Sequence, residues 1–263
     1  MLLLLFAAVI LVPLLIVLFT SLKTAPQFYA NPLGLPESLS FHNFKALFDG
    51  QPMWAYFRNS IIVTLATVAL ELLLAGFIAY GIMRSGRRVG ASVFGLFAIG
   101  LMVPSQVNMI PIYAFVHKLG WSNSLTGLII VSASVLLPLS VFMLSGFMKT
   151  LPKEILEAGE IDGAGERTLL LRIAFPLSAP YLAATAAFLF VIVWNDLLFP
   201  MLLLNGKDKL TLPLAVLQFR GEYITDYPVL LAGVVVTALP MIALYVFLQR
   251  YFISGAFAGS LKG

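Results

Sequence analysis

The sequence contains no cysteine and only two histidines, His42 and His117. Disulfides, thiolate metal sites and cysteine nucleophiles are therefore excluded, and two histidines so far apart in sequence do not suggest a metal cluster. Charged residues make up only 11% of the 263 residues, whereas a soluble domain usually carries about 25%. The net charge of +4 is spread between apolar runs, so it does not indicate a nucleic-acid partner.

Long apolar runs dominate what is present. Hydrophobic residues form 60% of the chain and the mean hydropathy is +0.99. A membrane helix needs about 20 apolar residues to cross the hydrocarbon core, and six runs meet this length. The sequence therefore predicts an all-α polytopic membrane protein, a single domain over residues 1–263 with six transmembrane helices. The predicted spans are residues 1–20, 60–83, 91–116, 124–148, 177–204 and 229–249.

The orientation of these spans depends on basic residues in short loops. The segment after the second span holds Arg84, Arg87 and Arg88, whereas the segment after the third holds only Lys118. This predicts a multi-pass protein of the cell membrane with both termini in the cytoplasm. The first run lacks the basic start of a cleaved signal peptide, so we interpret it as a membrane helix.

A polar segment, residues 150–172, separates the fourth and fifth spans and holds five of the twelve acidic residues. Thr150 can cap a helix, and Pro152 suits its first turn. That helix should end near Asp162, because Gly163 permits a left-handed turn. A second short helix is predicted over residues 166–173.

Small residues mark one face of the first of these two helices. Ile155, Ala158 and Gly159 share that face at i, i+3, i+4 spacing, and the last two would let another surface approach closely. The alternative is a solvated helical loop, as most charged loops are.

The segment resembles the cytoplasmic "EAA" signature of binding-protein-dependent ABC importer permeases. That pattern is Glu-Ala-Ala, three residues, Gly, nine residues, Ile, one residue, Leu-Pro. Glycine replaces the second alanine here and phenylalanine replaces the leucine, while the spacing is kept throughout. The matching residues are Glu157-Ala158-Gly159, Gly163, Ile173 and Phe175-Pro176.

The resemblance extends over nearly the whole chain. Within the family, the sequence is similar to the carbohydrate branch and, in that branch, to the maltose-permease second-subunit type. The other segments that carry it are Ser21-Leu22-Lys23-Thr24, Val103-Pro104, Ile110-Pro111, Trp194-Asn195-Asp196, Thr211-Leu212-Pro213 and Gln249-Arg250-Tyr251-Phe252.

The resemblance implies the membrane-spanning permease subunit of an ATP-driven importer for a sugar or oligosaccharide. The polar segment would be a cytoplasmic coupling helix between transmembrane helices 4 and 5, the fourth and fifth predicted spans. The chain has no phosphate-binding loop of the Gly-x-x-x-x-Gly-Lys-Ser/Thr type, so it would be no enzyme, and ATP and Mg²⁺ would bind in partner subunits. The implied partners are two ATP-binding subunits, a second permease subunit, an extracytoplasmic solute-binding protein and membrane lipid. The implied ATPase-docking residues are Glu157, Ala158, Gly159, Asp162 and Gly163.

Polar groups inside the spans are candidates for the translocation path, because such groups are costly in lipid and usually face the bundle interior. Pro104 and Pro111 should kink the third span and free backbone carbonyls beside its amide side chains. The alternative for the polar residues is an interhelical hydrogen bond that only holds the bundle. An aromatic ring could stack on a sugar or lie at the membrane interface. The predicted path residues are Glu71, Gln106, Asn108, Tyr113 and Asn195.

Two other classes of protein remain as alternatives. A self-sufficient channel or secondary transporter would show inverted repeats with broken helices and would need no coupling loop. An intramembrane hydrolase would carry His-Glu-x-x-His or Gly-x-Ser-x-Gly, and the sequence has neither motif. The sequence does not identify the solute.

Overall fold

The computed structural model describes residues 2–217 and 226–260, with residues 248–260 described as backbone alone. Helices joined by turns and loops make up the described residues, without a strand among them, which confirms the all-α class. The helices are α1 (Leu2–Ser21), α2 (Ala25–Ala30), α3 (His42–Gly50), α4 (Met53–Arg84), α5 (Arg87–Met102), α6 (Met109–Lys118), α7 (Leu125–Met148), α8 (Lys153–Ile161), α9 (Glu166–Leu177), α10 (Ala179–Trp194), α11 (Leu198–Leu203), α12 (Leu212–Leu217) and α13 (Tyr227–Ser260).

Four of the described helices are long and apolar enough to cross a membrane: α1, α4, α7 and the Tyr227–Phe247 part of α13. Two bent pairs, α5 with residues 105–118 and α9 with α10, raise this number to six if each pair is one span. The polytopic membrane fold is therefore confirmed.

The helix ends differ from the predicted spans in several places. Helix α4 begins at residue 53 instead of 60, and α13 continues beyond residue 249 to Ser260. The predicted span 177–204 is divided, because α10 ends at Trp194 and α11 starts four residues later. Met1, the first residue of the first predicted span, lies outside the described residues.

A bend of 84° separates α5 from the helical segment that follows it. Helix α5 ends at Met102, and a 3₁₀ turn over Ser105–Asn108 follows Pro104. Proline cannot donate a backbone hydrogen bond and its ring clashes with the preceding turn. The predicted kink at Pro104 is confirmed, whereas Pro111 lies in the first turn of α6 and does not interrupt it.

The contacts of the chain divide it into two units. The first unit comprises residues 1–61 and 204–243. In this unit the buried side-chain amide of Asn43 donates hydrogen bonds to the carbonyls of Ser21 (2.8 Å) and Lys23 (2.7 Å). The Asn59 amide likewise donates to the carbonyls of Asp208 (2.9 Å) and Leu210 (3.0 Å). Side-chain amides therefore satisfy backbone carbonyls that no helix would satisfy.

The second unit comprises residues 62–203 and 244–263. Its main apolar core is formed by the C-terminal half of α4, the C-terminal half of α7, and α9. Helix α5 packs on α7, where a Cβ added at Gly100 would lie 3.1 Å from the Pro138 ring. The loop between α7 and α10 thus belongs to the packed core of this unit. The core residues are Ala75, Ala79, Tyr80, Ile82, Val141, Leu144, Met148, Leu151, Leu169, Leu170 and Ala174.

Candidate functional site

The loop between α7 and α10 contains the two helices expected from its sequence, α8 and α9. Helix α8 ends at Ile161 with Asp162 as its C-cap, and Gly163 has a φ of +78°, which confirms the predicted left-handed turn. The predicted cap is wrong: the Thr150 hydroxyl donates to the carbonyl of Phe147 at 2.7 Å, in the last turn of α7. Helix α8 begins after Pro152 instead.

Helix α8 has an inner and an outer side. Leu156 and Gly159 are buried, and a Cβ at Gly159 would lie 2.8 Å from Leu169 Cδ2 and 2.9 Å from Ile173 Cδ1. A side chain at position 159 would therefore displace the ends of these two α9 side chains, and glycine lets α9 lie close to α8 without that shift. The interpretation that Ala158 and Gly159 share one approach face is wrong, because Ala158 is exposed while Gly159 packs against its own chain.

The outer side of this loop carries the remaining predicted docking residues. Glu157, Ala158, Asp162 and Gly163 are all exposed, and a Cβ at Gly163 would meet no atom within 4 Å. Ile161, beside them, is 87% exposed.

A cluster of polar side chains joins α4 to both loop helices. The Tyr80 hydroxyl donates to Glu166 Oε2 at 2.6 Å. Arg84 donates to Glu166 Oε1 from Nη2 at 2.7 Å and from Nε at 3.2 Å. The same Nη2 also contacts Glu160 Oε1. Because Arg84 and Tyr80 both donate to this carboxylate, they hold the pKa of Glu166 below its usual value.

Phe175 explains how this loop tolerates its second departure from the EAA pattern. Its ring lies over Gly76 of α4, where an added Cβ would be 2.8 Å from Cζ and 3.0 Å from Cε1. The ring also packs beside Phe77, with centroids 5.8 Å apart. A larger side chain at position 175 is accommodated because the facing helix has a glycine there.

Two cavities lie beside the bend that follows α5. One, of about 350 Å³, is lined by Asn108, by mostly apolar side chains of α6 and α7 such as Phe115, and by Trp121 of the loop between these helices. The other, of about 190 Å³, is lined by Gln106 and Asp196 together with two serines. The bend thus brings two of the predicted path residues to the walls of cavities.

The other predicted path residues lie in different surroundings. Glu71 is fully buried, and neither of its carboxylate oxygens has a hydrogen-bond partner among the described residues. The Ser140 hydroxyl lies beside that carboxyl but donates to the Leu136 carbonyl. Tyr113 is 44% exposed.

Two neighbouring residues shape the end of α10. The amide of Asn195 donates to the Val191 carbonyl at 2.8 Å. Asp196, next in the chain, accepts from the backbone N–H of Leu198 at 2.9 Å and so caps the short helix α11.

Sequence reasoning missed the roles of Tyr80 and Arg84 in the loop. Arg84 was interpreted only as a marker of membrane orientation, and Tyr80 lies within the second predicted span without a pattern that links it to the loop. They lie 76 to 86 positions from Glu160 and Glu166, and no sequence pattern joins residues at that separation. The available signal is an arginine at the end of an apolar run, together with a loop in which five acidic residues outnumber three basic ones.

Comparisons with known proteins agree with the resemblance. The family model described as "Binding-protein-dependent transport system inner membrane component" matches residues 71–256, and the chain belongs to this family. The chain is 33% identical to the melibiose/raffinose/stachyose import permease protein MelC of Bacillus subtilis over 96% of its length and 91% of the relative's. It is also 33% identical to the multiple sugar-binding transport system permease protein MsmG of Streptococcus mutans, covering 96% of this chain and 92% of that protein.

Solved structures support the same fold. A chain in the crystal structure of a bacterial ABC transporter involved in the import of the acidic polysaccharide alginate aligns with a TM-score of 0.85. The alignment covers 95% of this chain and 94% of the other at 20% identity. At that identity the likeness concerns the fold, and it extends over all but a few per cent of both chains.

Proposed function

We propose that this chain is the membrane-spanning permease subunit of an ATP-driven importer for a sugar or oligosaccharide. It forms half of the translocation path and docks an ATP-hydrolysing subunit through the loop of α8 and α9. The relatives named for melibiose, raffinose, stachyose and multiple-sugar transport support the solute class. ATP and Mg²⁺ bind in two partner subunits, and a second permease subunit and an extracytoplasmic solute-binding protein complete the importer.

The single observation that carries the docking proposal is the two-sided loop. The inner side of α8 is fixed to the core through Leu156 and Gly159, so the outer side is presented on a supported base. In the proposal Glu157 and Asp162 meet basic groups of the ATPase, and Ala158 and Gly163 permit a close fit. Gly159 acts indirectly, since its lack of a side chain lets α9 support α8.

The solute path is proposed beside the bend after α5. Gln106 and Asn108 line the two cavities there and offer amide donors and acceptors for sugar hydroxyls. Tyr113 and Asn195 contribute at the two ends of this region. Glu71 joins the path when the helices rock between inward and outward openings, because a buried carboxyl without a partner is costly unless another state satisfies it.

Co-purification tests the docking. The chain is co-expressed with candidate ATPase subunits as wild type, as Glu157→Lys and as Glu37→Lys, an exposed glutamate of the segment between α2 and α3. We expect Glu157→Lys alone to lose the ATPase, because it reverses a charge on the outer side of α8. Retention of the ATPase by Glu157→Lys would contradict the docking proposal.

Single cysteines test the proposed orientation, because the chain has no native cysteine. Asp162→Cys should react with a membrane-impermeant maleimide only from the cytoplasmic side of the membrane, and Ser38→Cys only from the opposite side. The reverse pattern would contradict cytoplasmic termini and a cytoplasmic coupling loop.

The channel or secondary-transporter alternative makes a different prediction. It requires the purified chain alone to move a labelled oligosaccharide into liposomes. Our proposal requires uptake only when the ATPase, the second permease, the solute-binding protein and ATP are all present.

A further inference from the structure

We propose that Arg84 is a positioning residue for transport, which fixes coupling helix α8 against transmembrane helix α4 so that movement of the ATPase is passed to α4. This inference rests on the proposed function. It assigns to one guanidinium a role that docking residues on the outer side of α8 cannot perform, namely holding the loop at a fixed angle to the membrane helix.

The geometry gives Arg84 contacts with both helices of the loop. Glu160 lies in the last turn of α8 and Glu166 opens α9, and the guanidinium contacts both carboxylates. Tyr80, one helical turn before Arg84, donates to the second oxygen of Glu166. The carboxylate of Glu166 is thus held from two consecutive turns of α4, which fixes its direction as well as its distance.

An isolated exposed ion pair constrains little, because water and salt screen it. This cluster differs in two respects. The planar guanidinium presents several donors in a fixed fork, which a lysine ammonium cannot reproduce. Glu166, whose side chain is 61% exposed, also accepts a hydrogen bond from the hydroxyl of the buried Tyr80, which fixes it from a second direction.

The apolar core beneath the cluster performs a different task. Ala75 and Ala79 of α4 pack with Leu169 and Ala174 of α9 whether or not the charges are present. Apolar contacts are non-directional, so they hold the helices together but resist sliding and rotation weakly. The hydrogen bonds of Arg84 supply the directional restraint. Loss of Arg84 should leave the fold and the ATPase-docking surface in place while α8 turns against α4.

The consequence for transport follows from the path of α4. From Arg84 this helix runs back to the buried Glu71, 13 residues and about 20 Å away at 1.5 Å per residue. Movement of α8 is transmitted in full to the region of Glu71 only if the contact between α8 and α4 is rigid. If this contact is flexible, ATP would be hydrolysed without an equivalent movement of the transmembrane helices.

The test uses the complete importer in proteoliposomes and measures solute moved per ATP hydrolysed for wild type, Arg84→Ala, Arg84→Lys and Arg88→Ala. Arg88 is the matched control, because it is exposed in the first turn of α5, four residues after Arg84, and makes no hydrogen bond or ion pair among the described residues. We expect Arg84→Ala to lower the ratio by about fivefold or more, the lower end of coupling between two sites. Arg84→Lys should be intermediate and Arg88→Ala should match wild type.

Two results would overturn the inference. One is an unchanged ratio in Arg84→Ala. The other is a fall in the ratio matched by an equal loss of ATPase co-purification, which would assign Arg84 to docking.

Amide hydrogen exchange of the isolated chain adds a readout independent of transport: α8 should exchange faster in Arg84→Ala and as in wild type in Arg88→Ala. If wild type binds no ATPase, the proposed function fails, and the exchange comparison still decides whether Arg84 restrains α8.

Discussion

The fit of Phe175 over Gly76 leads to a prediction that two substitutions will depend on each other. Gly76→Ala would place a methyl group 2.8 Å from the Phe175 ring. Overpacking of this kind costs about 1–3 kcal/mol, whereas alanine is better than glycine in a helix by about 1 kcal/mol. The net expectation is a loss of about 0–2 kcal/mol. With Phe175→Leu the obstacle is gone, and Gly76→Ala should become neutral or stabilising by up to about 1 kcal/mol.

The measurement is a double-mutant cycle on the purified chain, unfolded in mixed micelles with increasing SDS and followed by helical circular dichroism. We expect a coupling free energy of about 1–3 kcal/mol between the two positions. Gly81→Ala is the control, because a Cβ at Gly81 of the same helix meets no atom within 4 Å, so it should not depend on position 175. Effects of Gly76→Ala and Phe175→Leu that add within about 0.5 kcal/mol would refute the packing argument.

Three further predictions follow from polar contacts. Asn59→Asp removes both amide donors to buried carbonyls and should cost about 1–3 kcal/mol in the free energy of unfolding, measured by the same SDS titration; no loss would contradict the bonds. Lys23→Met removes the donor to the carbonyls of residues 31 and 32, so residues 25–41 should be cleaved faster by limited proteolysis, and equal rates would count against this anchor. Because the pKa of Glu166 is lowered in the folded chain, the stability that its carboxylate contributes is fully present above the ordinary pKa of 4.5 and is lost as pH falls through the lower folded pKa. Amide hydrogen exchange of α8 should therefore rise only in acid, and Glu166→Gln should abolish this dependence on pH.

The sequence predicted the architecture where a single local property decides it. Apolar length alone gave the membrane runs, and charge-poor helices such as α1 and α7 coincide closely with their predicted spans. Pro104 and Gly163 predicted a bend and a turn because each residue restricts or permits backbone angles on its own. The EAA spacing indicated the family, and the family comparison confirmed it.

The sequence was less informative where neighbours decide the outcome. Helical spacing assigned Ala158 and Gly159 to one face, but the residues that close over Gly159 lie 10 and 14 positions further along the chain. The span 177–204 is divided after Trp194, where Asp196 caps the start of α11. Such caps compete with helix continuation, and composition alone does not predict which will prevail.

By itself, the sequence determined that this chain spans a membrane many times, belongs to the importer permeases, and carries an acidic helical loop before its fifth crossing. Each of these follows from properties of short segments: apolar length, glycine and proline geometry, and motif spacing. Only the tertiary structure decided which side of α8 faces outward, that Gly76 makes room for Phe175, and that Arg84 and Tyr80 hold Glu166. The last two features join residues about 80 to 100 positions apart, and packing of the whole unit selects all three because many local patterns are compatible with the same segments.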